Sequence, residues 1–335
     1  TVPEAYGGSG VDILAAVIAI EELAKRGGGL AGPFIHCAFY GGMNMAENGS
    51  EAQKQAYLPR LAKGEILFAY GLSEPDVGGD LASARVTASR DDDAQTLTIN
   101  GTKRWVTGAR IADYIYTLVR SGPADARYKN LSFVLIPTDA PGISIHDIDH
   151  IGLRYAATTD VVFDNVVVPA ENIVGGLDAW NQGWRMLAGR ALDVEKLEIT
   201  AYAFGVACAA VDDAWQYAQE RQQFGKPICA HQSVRHALIE AKTKLQACRH
   251  MLYHAAWLAT ENHDCSVESS MAKLFIADTA VDIVLTCQRV MGAYGCAGEY
   301  DMERYVRDIV CMPIVGGSSN MQKNNIANRL GLPSR

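Results

Sequence analysis

"TLTINGTKRWVTG", residues 96–108, alternates apolar or β-branched positions with polar ones. A period of two is the mark of a half-buried strand. The same character returns in "YIYTLVR" (114–120), "LSFVLIP" (131–137) and "DVVFDNVVVP" (160–169), with Gly, Pro and Asp between the runs. Residues 66–178 therefore predict an antiparallel β domain. On both sides the period changes. "VDILAAVIAIEELAKR" (11–26) has apolar residues at helical spacing and runs into Gly27-Gly28-Gly29, a stop signal. "SEAQKQAYLPRLAKGE" (50–65) follows, with Ser50 as its N-cap. Downstream, residues 186–220, 231–262, 266–291 and 319–330 read as helices, most of them longer than ordinary globular ones. Together they predict an antiparallel bundle. The expected organisation is an N-terminal helical domain over 1–65, a middle β domain over 66–178 and a C-terminal helical bundle over 179–335. Strands and helices do not alternate, so a Rossmann domain is excluded. Gly27, Gly29 and Gly32 formally match G-x-G-x-x-G, but they follow a helix rather than a strand, which removes the dinucleotide reading.

Composition bounds the function. The 335 residues carry a net charge of −8, with 49% apolar and 20% charged residues. No basic run suggests nucleic acid or an anionic membrane. No apolar stretch reaches the roughly 18 residues of a membrane span, and no secretory leader pattern is seen. The eight cysteines include no CxxC pair, which points away from zinc and disulfides and toward a reducing cytoplasm. The chain starts at Thr1 in a Pro/Gly-containing segment, and further residues upstream are expected.

Three stretches carry chemistry. "AYGLSEPDVGGD" (69–80) puts hydroxyl, carboxylate and turn N–H groups where a ring edge or phosphate could be met; an ordinary surface loop is the competing reading. In "NGTKRWVTGARIADY" (100–114), Trp105 and Thr107 could offer a flat ring a wall and a hydrogen bond, although a buried Trp serves a core equally well. "YAQERQQFGKPI" (217–228) closes a long helix. Arg221 presents a fork suited to pyrophosphate, Phe224 a surface for adenine, and Gly225 is expected to end the helix.

In this order the stretches resemble the acyl-CoA dehydrogenase family. The likeness runs from "VPEAYGG" (2–8) through "YLPRLAKGE" (57–65), "LSEPDVGGD" (72–80), "NGTKRWVTG" (100–108), "VVFDNVVVPAENIVG" (161–175), "ERQQFGKPI" (220–228) and "ERYVRD" (303–308) to the last helix. It implies bound FAD, an acyl-CoA substrate, electron delivery to an electron-transferring flavoprotein, and a homo-oligomer, a dimer of dimers in the family's habit. It implies that Tyr70, Leu72 and Ser73 line the isoalloxazine and that Trp105 and Thr107 cover its other parts. Arg221, Gln223, Phe224, Gln232, Arg289 and Gly292 would reach the FAD of a neighbouring subunit, and Ser318 and Asn320 its adenosine end. Arg289 departs from the family's glutamine, with Gln288 beside it.

The family's usual base is a glutamate just before Gly-Thr in the final segment. Here "MPIVGGSSN" (312–320) has Gly316 and Gly317 instead. A second branch, similar to isovaleryl-CoA dehydrogenase and crotonobetainyl-CoA reductase types, carries its glutamate on the first long bundle helix. "LDVEKL" (192–197) puts Glu195 at that position. Its helical neighbours Ala191, Leu192, Ile199 and Tyr202 are mostly apolar, so its pKa should rise toward that of a working base. Glu198 and Asp193 are the nearby competitors. The resemblance further implies thioester polarisation by the FAD ribityl 2′-hydroxyl and the Gly316 N–H, and CoA contacts at Gly79, Asp193, Lys196, Gly316 and Gly317. Lys196 stands for the branch's arginine and Gly79 for a common serine. The rival readings are an enoyl-CoA reductase, a flavin monooxygenase, a subunit of a mixed oligomer and a DNA-associated relative; the acidic balance speaks against the last. The acyl chain is not legible.

Overall fold

The computed structural model describes residues 1–333. The elements in chain order begin with α1 (Ile13–Arg26), α2 (Gly28–Ile35), a π-helical turn over His36–Met43, α3 (Asn44–Asn48) and α4 (Glu51–Ala62). Seven strands follow: β1 (Phe68–Gly71), β2 (Thr87–Asp91), β3 (Thr96–Thr107), β4 (Tyr114–Arg120), β5 (Leu131–Pro137), β6 (Ile143–Asp147) and β7 (Thr158–Pro169). Then come α5 (Gly183–Leu187), α6 (Arg190–Glu220), a hairpin of β8 (Gln222–Gln223) and β9 (Lys226–Pro227), α7 (Gln232–Thr260), α8 (Ser266–Met291), α9 (Met302–Ile309) and α10 (Ser319–Arg329). N-terminal helices, a middle β domain and a C-terminal helical domain are thus the architecture. Backbone contacts gather the chain into two compact units, one of residues 1–12, 32–149 and 154–192, the other of 13–31, 150–153 and 193–335.

The first unit is built on one sheet. β2 pairs β3, β3 pairs β7, β7 pairs β6 and β4 pairs β5, all antiparallel. Two pairings depart from the expected antiparallel pattern: β1 runs parallel to β4, and β2 touches β4 in parallel through Thr87 and Arg120. Strand β2 lacks apolar alternation, and β6 alternates only over Ile143, Ser144 and Ile145, too short a run for the sequence to announce it. β4 and β5 read as continuous apolar runs because both of their faces are buried. Ile115, Val119, Val134 and Ile136 point into one core, while Tyr116, Leu118, Phe133 and Leu135 join Met45, Leu58 and Leu61 in another. Ser50 caps α4 with a full capping box, its Oγ accepting from the Gln53 amide and the Gln53 side chain accepting from the Ser50 amide. The glycine stop at the end of α1 lasts one residue: Gly27 takes φ +136° and helix resumes at Gly28.

The second unit is helical. α6, α7 and α8 run for 31, 29 and 26 residues. α1 joins them although it lies far away in sequence. Its buried stripe is Ile13, Ala16, Val17, Ile20, Glu21 and Ala24. The Leu14 amide donates to Thr260 Oγ1 at 2.9 Å, and the Tyr253 hydroxyl to Glu21 Oε2 at 2.6 Å. A Cβ at Gly205 on α6 would overlap the Glu21 carbonyl, so glycine lets the two helices approach.

Candidate functional site

In the sheet unit, the turn after β1 is fixed by β3. Lys103 Nζ donates to the Leu72 carbonyl and to Glu74 Oε1, both at 2.8 Å, and the Arg104 amide donates to the Ser73 carbonyl at 2.8 Å. Glu74 also accepts from the Arg85 and Val86 amides at 2.7 and 3.0 Å. Lys103 is fully buried, and desolvation pulls its ammonium down to about 8 despite the Glu74 carboxylate beside it. Leu72 and Ser73 are therefore presented on a rigid turn, whereas Gly79 further along the loop is exposed. Tyr70 stacks between Tyr40 at 5.3 Å and Phe133 at 6.2 Å.

β3 is interrupted by a bulge between Arg104 and Val106. The extra residue is Trp105, with φ +66°, a backbone region that bulky residues rarely adopt. A bulge re-aims a side chain; here the indole leaves the ladder and stays 53% exposed. Arg104 lies over the ring at 4.7 Å and is itself held by Asp160 at 2.9 Å. Two residues on, Thr107 Oγ1 donates to Thr158 Oγ1 at 3.2 Å. Tyr70, Leu72, Ser73, Trp105 and Thr107 thus all belong to β1, β3 and the turn pinned to β3.

In the helical unit, α6 ends at Glu220, the end of the 186–220 reading, and Gly225 does not terminate it as expected. Phe224 (φ +54°) and Gly225 (φ +78°) form the two-residue turn of the β8–β9 hairpin, since paired left-handed residues match the twist of hairpin strands. The turn holds Phe224 out at 93% exposure. Arg221 at the base of the hairpin lies over the Tyr294 ring at 5.6 Å. The Gln223 carbonyl faces His231 Nε2 at 3.3 Å, and Gln232 opens α7. α8 closes at Gly292, φ +62°. Gln288 turns inward to the Gly295 carbonyl at 3.3 Å, whereas Arg289 is exposed.

The first turns of α6 separate three acids by environment. Asp193 accepts from Lys196 Nζ at 2.6 Å and from Ser266 Oγ at 3.1 Å, while Lys196 also donates to Ser270 at 3.1 Å. Lys196 is only 4% exposed. The sequence placed it toward CoA; the structure shows its ammonium taken up between α6 and α8. Glu198 is wholly buried. Glu195 keeps part of its surface open, and its carboxylate has no hydrogen-bond partner among the described residues. The protein packed around it pushes its carboxyl up to about 7, with the Lys196 cation opposing. One turn along, Ile199 meets the final segment: a Cβ on Gly316 would lie 3.0 Å from Ile199 Cγ1, and Gly316 has φ +61°. A carboxylate-bearing residue at 316 would have to strain its backbone and displace Ile199.

The 312–319 segment is held from α8 and α10. Lys273 Nζ donates to the Met312 carbonyl at 2.7 Å, Gln322 Nε2 to the Gly317 carbonyl at 2.9 Å, and Ser319 Oγ to Asp278 at 2.9 Å. Ser318 caps α10, its Oγ accepting from Met321 N, and Asn320 is exposed on the first turn. Sequence reasoning passed over Lys273, Gln322 and the Lys103–Glu74 pair. Lys273 had a signal: a lysine on the stripe of Ser269, Ala272, Ile276 and Ala280, all buried. Among the described residues no cluster of His, Cys, Asp and Glu could hold a metal ion, and no helix is long and apolar enough to cross a membrane.

Known proteins match this chain throughout. The family models for the N-terminal, middle and C-terminal domains of acyl-CoA dehydrogenase match residues 1–65, 69–166 and 181–331. An acyl-CoA dehydrogenase of Bacillus subtilis is 34% identical over 98% of this chain and 85% of its own. A 3-(aryl)acrylate reductase of Clostridium sporogenes is 33% identical, again over 98% and 85%. The crystal structure of an FAD-dependent dehydrogenase superposes with a TM-score of 0.92 at 31% identity, covering 99% of this chain and 89% of its own. With all three domains matched in order and full-length relatives above 30% identity, the chain belongs to the acyl-CoA dehydrogenase family.

Proposed function

We propose that this protein is an FAD-dependent acyl-CoA dehydrogenase whose base is Glu195. The observation that carries the proposal is the contrast on α6 and its partner segment. Glu195 is a lone carboxylate poised near neutrality, and the place of the family's usual base is a left-handed glycine backed by Ile199. Perturbed carboxylates of this kind concentrate at functional sites.

The residues present fit an FAD. Trp105 is turned out of its strand at a strained position, and the 72–74 turn carries its backbone on a buried ion pair. Tyr70, Leu72, Ser73, Trp105 and Thr107 would hold the isoalloxazine. Arg221, Gln223, Phe224, Gln232, Arg289 and Gly292 would reach the FAD of a neighbouring subunit, and Ser318 and Asn320 its adenosine end. The chemistry FAD supplies when bound is acceptance of the hydride from the substrate β-carbon.

The chain's own part is proton transfer and polarisation. Glu195 accepts the proton from the α-carbon, and a pKa near the working pH suits a group that must take a proton and later release it. The Gly316 N–H donates to no acceptor among the described residues and is assigned to the thioester carbonyl oxygen, where it stabilises the developing enolate. Gly79 and Gly317 are assigned to the CoA side. Asp193 and Lys196 brace the first turn of α6 against α8. The product is a trans-2-enoyl-CoA, and the electrons pass to an electron-transferring flavoprotein. One observation favours a second reading, reduction of an enoyl thioester by the same residues: the Clostridium sporogenes relative is named as a reductase.

The test is an anaerobic titration of the yellow holoenzyme and its Glu195→Gln variant with short, branched, long and aryl acyl-CoAs. Bleaching of the wild type, with binding but no bleaching in the variant, is the expected result. Equal bleaching by both removes Glu195 from the role and brings Glu198 and Asp193 forward.

A further inference from the structure

We propose that Gln322 and Lys273 are positioning residues for the Gly316 amide, clamping the backbone carbonyls on either side of it. The inference rests on the assignment of that amide to the thioester carbonyl.

The span from Met312 to Ser319 has few restraints of its own around Gly316. Ile314 N and Val315 N return to the Cys311 carbonyl, and Ser319 N to the Pro313 carbonyl. The amides of Gly316, Gly317 and Ser318 find no acceptor among the described residues. Two consecutive glycines at φ +61° and +82° hold no preference for that geometry by themselves, since glycine populates either sign of φ about equally. An amide aimed at one oxygen atom needs fixing from outside, because donors act on a transition state only when preorganised.

Two buried side chains supply that. Lys273 meets the carbonyl of Met312, four residues before Gly316, and Gln322 meets the carbonyl of Gly317, one residue after it. Gln322 is 1% exposed and its amide is oriented from behind by Asn325 Nδ2 on Oε1 at 3.5 Å. The fit is close: a Cβ on Gly317 would come within 2.6 Å of Gln322 Nε2. Lys273 is fully buried and donates to a neutral carbonyl, with no carboxylate in ion-pair range among the described residues. Burial holds its ammonium down at about 8, with only Asp278 opposing. A methionine would fill the same space without desolvating a charge. The retained cost is accounted for if the ammonium sets the backbone that follows.

The experiment compares wild type, Gln322→Met, Lys273→Met and Lys273→Arg as flavin-loaded oligomers. The readout is the infrared carbonyl frequency of bound trans-cinnamoyl-CoA and crotonyl-CoA labelled with carbon-13 at C1. In the wild type the frequency should fall below its value in water, reporting polarisation. In both methionine variants it should return at least halfway, with kcat lowered about 10- to 100-fold, KM within about threefold, and the acid limb of the pH profile unchanged. Lys273→Arg, which keeps a donor, should recover part of the shift. Methionine variants that are folded, flavin-loaded and fully shifted would overturn the clamp alone. No binding or no shift in the wild type overturns the thioester reading, and the clamp with it. Should the methionine variants fail to fold, Gln322→Glu, which keeps the shape but sets an acceptor in place of the donor facing the Gly317 carbonyl, takes their place. A wild-type shift in that variant refutes the proposal, as does its failure to fold, which would make the contacts structural only.

Discussion

Replacing Glu195 by glutamine should lower activity and raise stability at once, and the second effect should depend on pH. Its carboxyl is raised from 4.5 to about 7 by burial. A group whose folded pKa lies above its unfolded value contributes stability that is fully present below 4.5 and is lost as pH rises through about 7. At about 1.4 kcal/mol per pH unit, the whole gap is worth about 3 kcal/mol. Water at the open part of the side chain reduces this, and about 1–3 kcal/mol is the expected range. Glu195→Gln has no proton to release, so it escapes the loss. At pH 5 the two proteins should unfold at nearly the same urea concentration. At pH 8.5 the variant should be the more stable by that amount, at equal protein concentration and flavin content. Its turnover should meanwhile fall about 100- to 10,000-fold, the range of a lost general base. The wild-type kcat/KM should rise with pH along a limb centred near 7. A stability difference that is the same at pH 5 and 8.5 would refute the argument, because a carboxylate paying no desolvation has no reason to be poised.

Three further outcomes follow from the geometry. Gly316→Glu should not restore the usual base: the left-handed backbone and the approach to Ile199 predict a loss of about 1–3 kcal/mol in urea and no gain in flavin bleaching. Lys103→Met leaves the buried Glu74 carboxylate without its cation, held only by backbone amides, and should cost about 3–5 kcal/mol, much of which the double change Lys103→Met with Glu74→Gln should return on urea denaturation. Trp105→Gly removes an indole from a left-handed bulge, so stability should change little, while flavin should be lost on dilution more readily, as read from released flavin fluorescence.

Much of this molecule was legible because its chemistry and its periodicity agree. The apolar runs of β4 and β5 and the helical spacing of α6 to α8 announce the middle sheet and the bundle. β2 was silent because its exposed, mostly polar residues carry no alternation, and β6 because the alternation of Ile143, Ser144 and Ile145 is too short to stand out. Glu195 was singled out by the resemblance of "LDVEKL" to one branch of the family, and its mostly apolar helical neighbours agree with that choice without making it. The Trp105 bulge could not, since a register shift is a property of two strands and not of one. Gly225 was misassigned for a related reason: a glycine after a helix is compatible with a C-cap and with a hairpin turn, and only the pairing of Gln222 with Pro227 decides. Lys273 showed as a lysine on a buried stripe, but the carbonyls that it and Gln322 meet are backbone atoms, which no side-chain pattern reveals.

The place of α1 bears on how the chain is made. It is made long before α7, and Leu14 waits for Thr260, 246 positions further along the chain. Contacts that close so long a span form late and slowly. Until then Ile13, Val17 and Ile20 have no permanent cover. The growing chain must therefore carry an apolar helix, unpartnered, through the synthesis of the whole sheet, a window in which a holding chaperone would be most needed and in which a stalled or truncated product would be prone to aggregate. A fragment cut at the sequence boundary near residue 178 would inherit the same fault in reverse, since Tyr253 and Thr260 of α7 would lose their partners on α1.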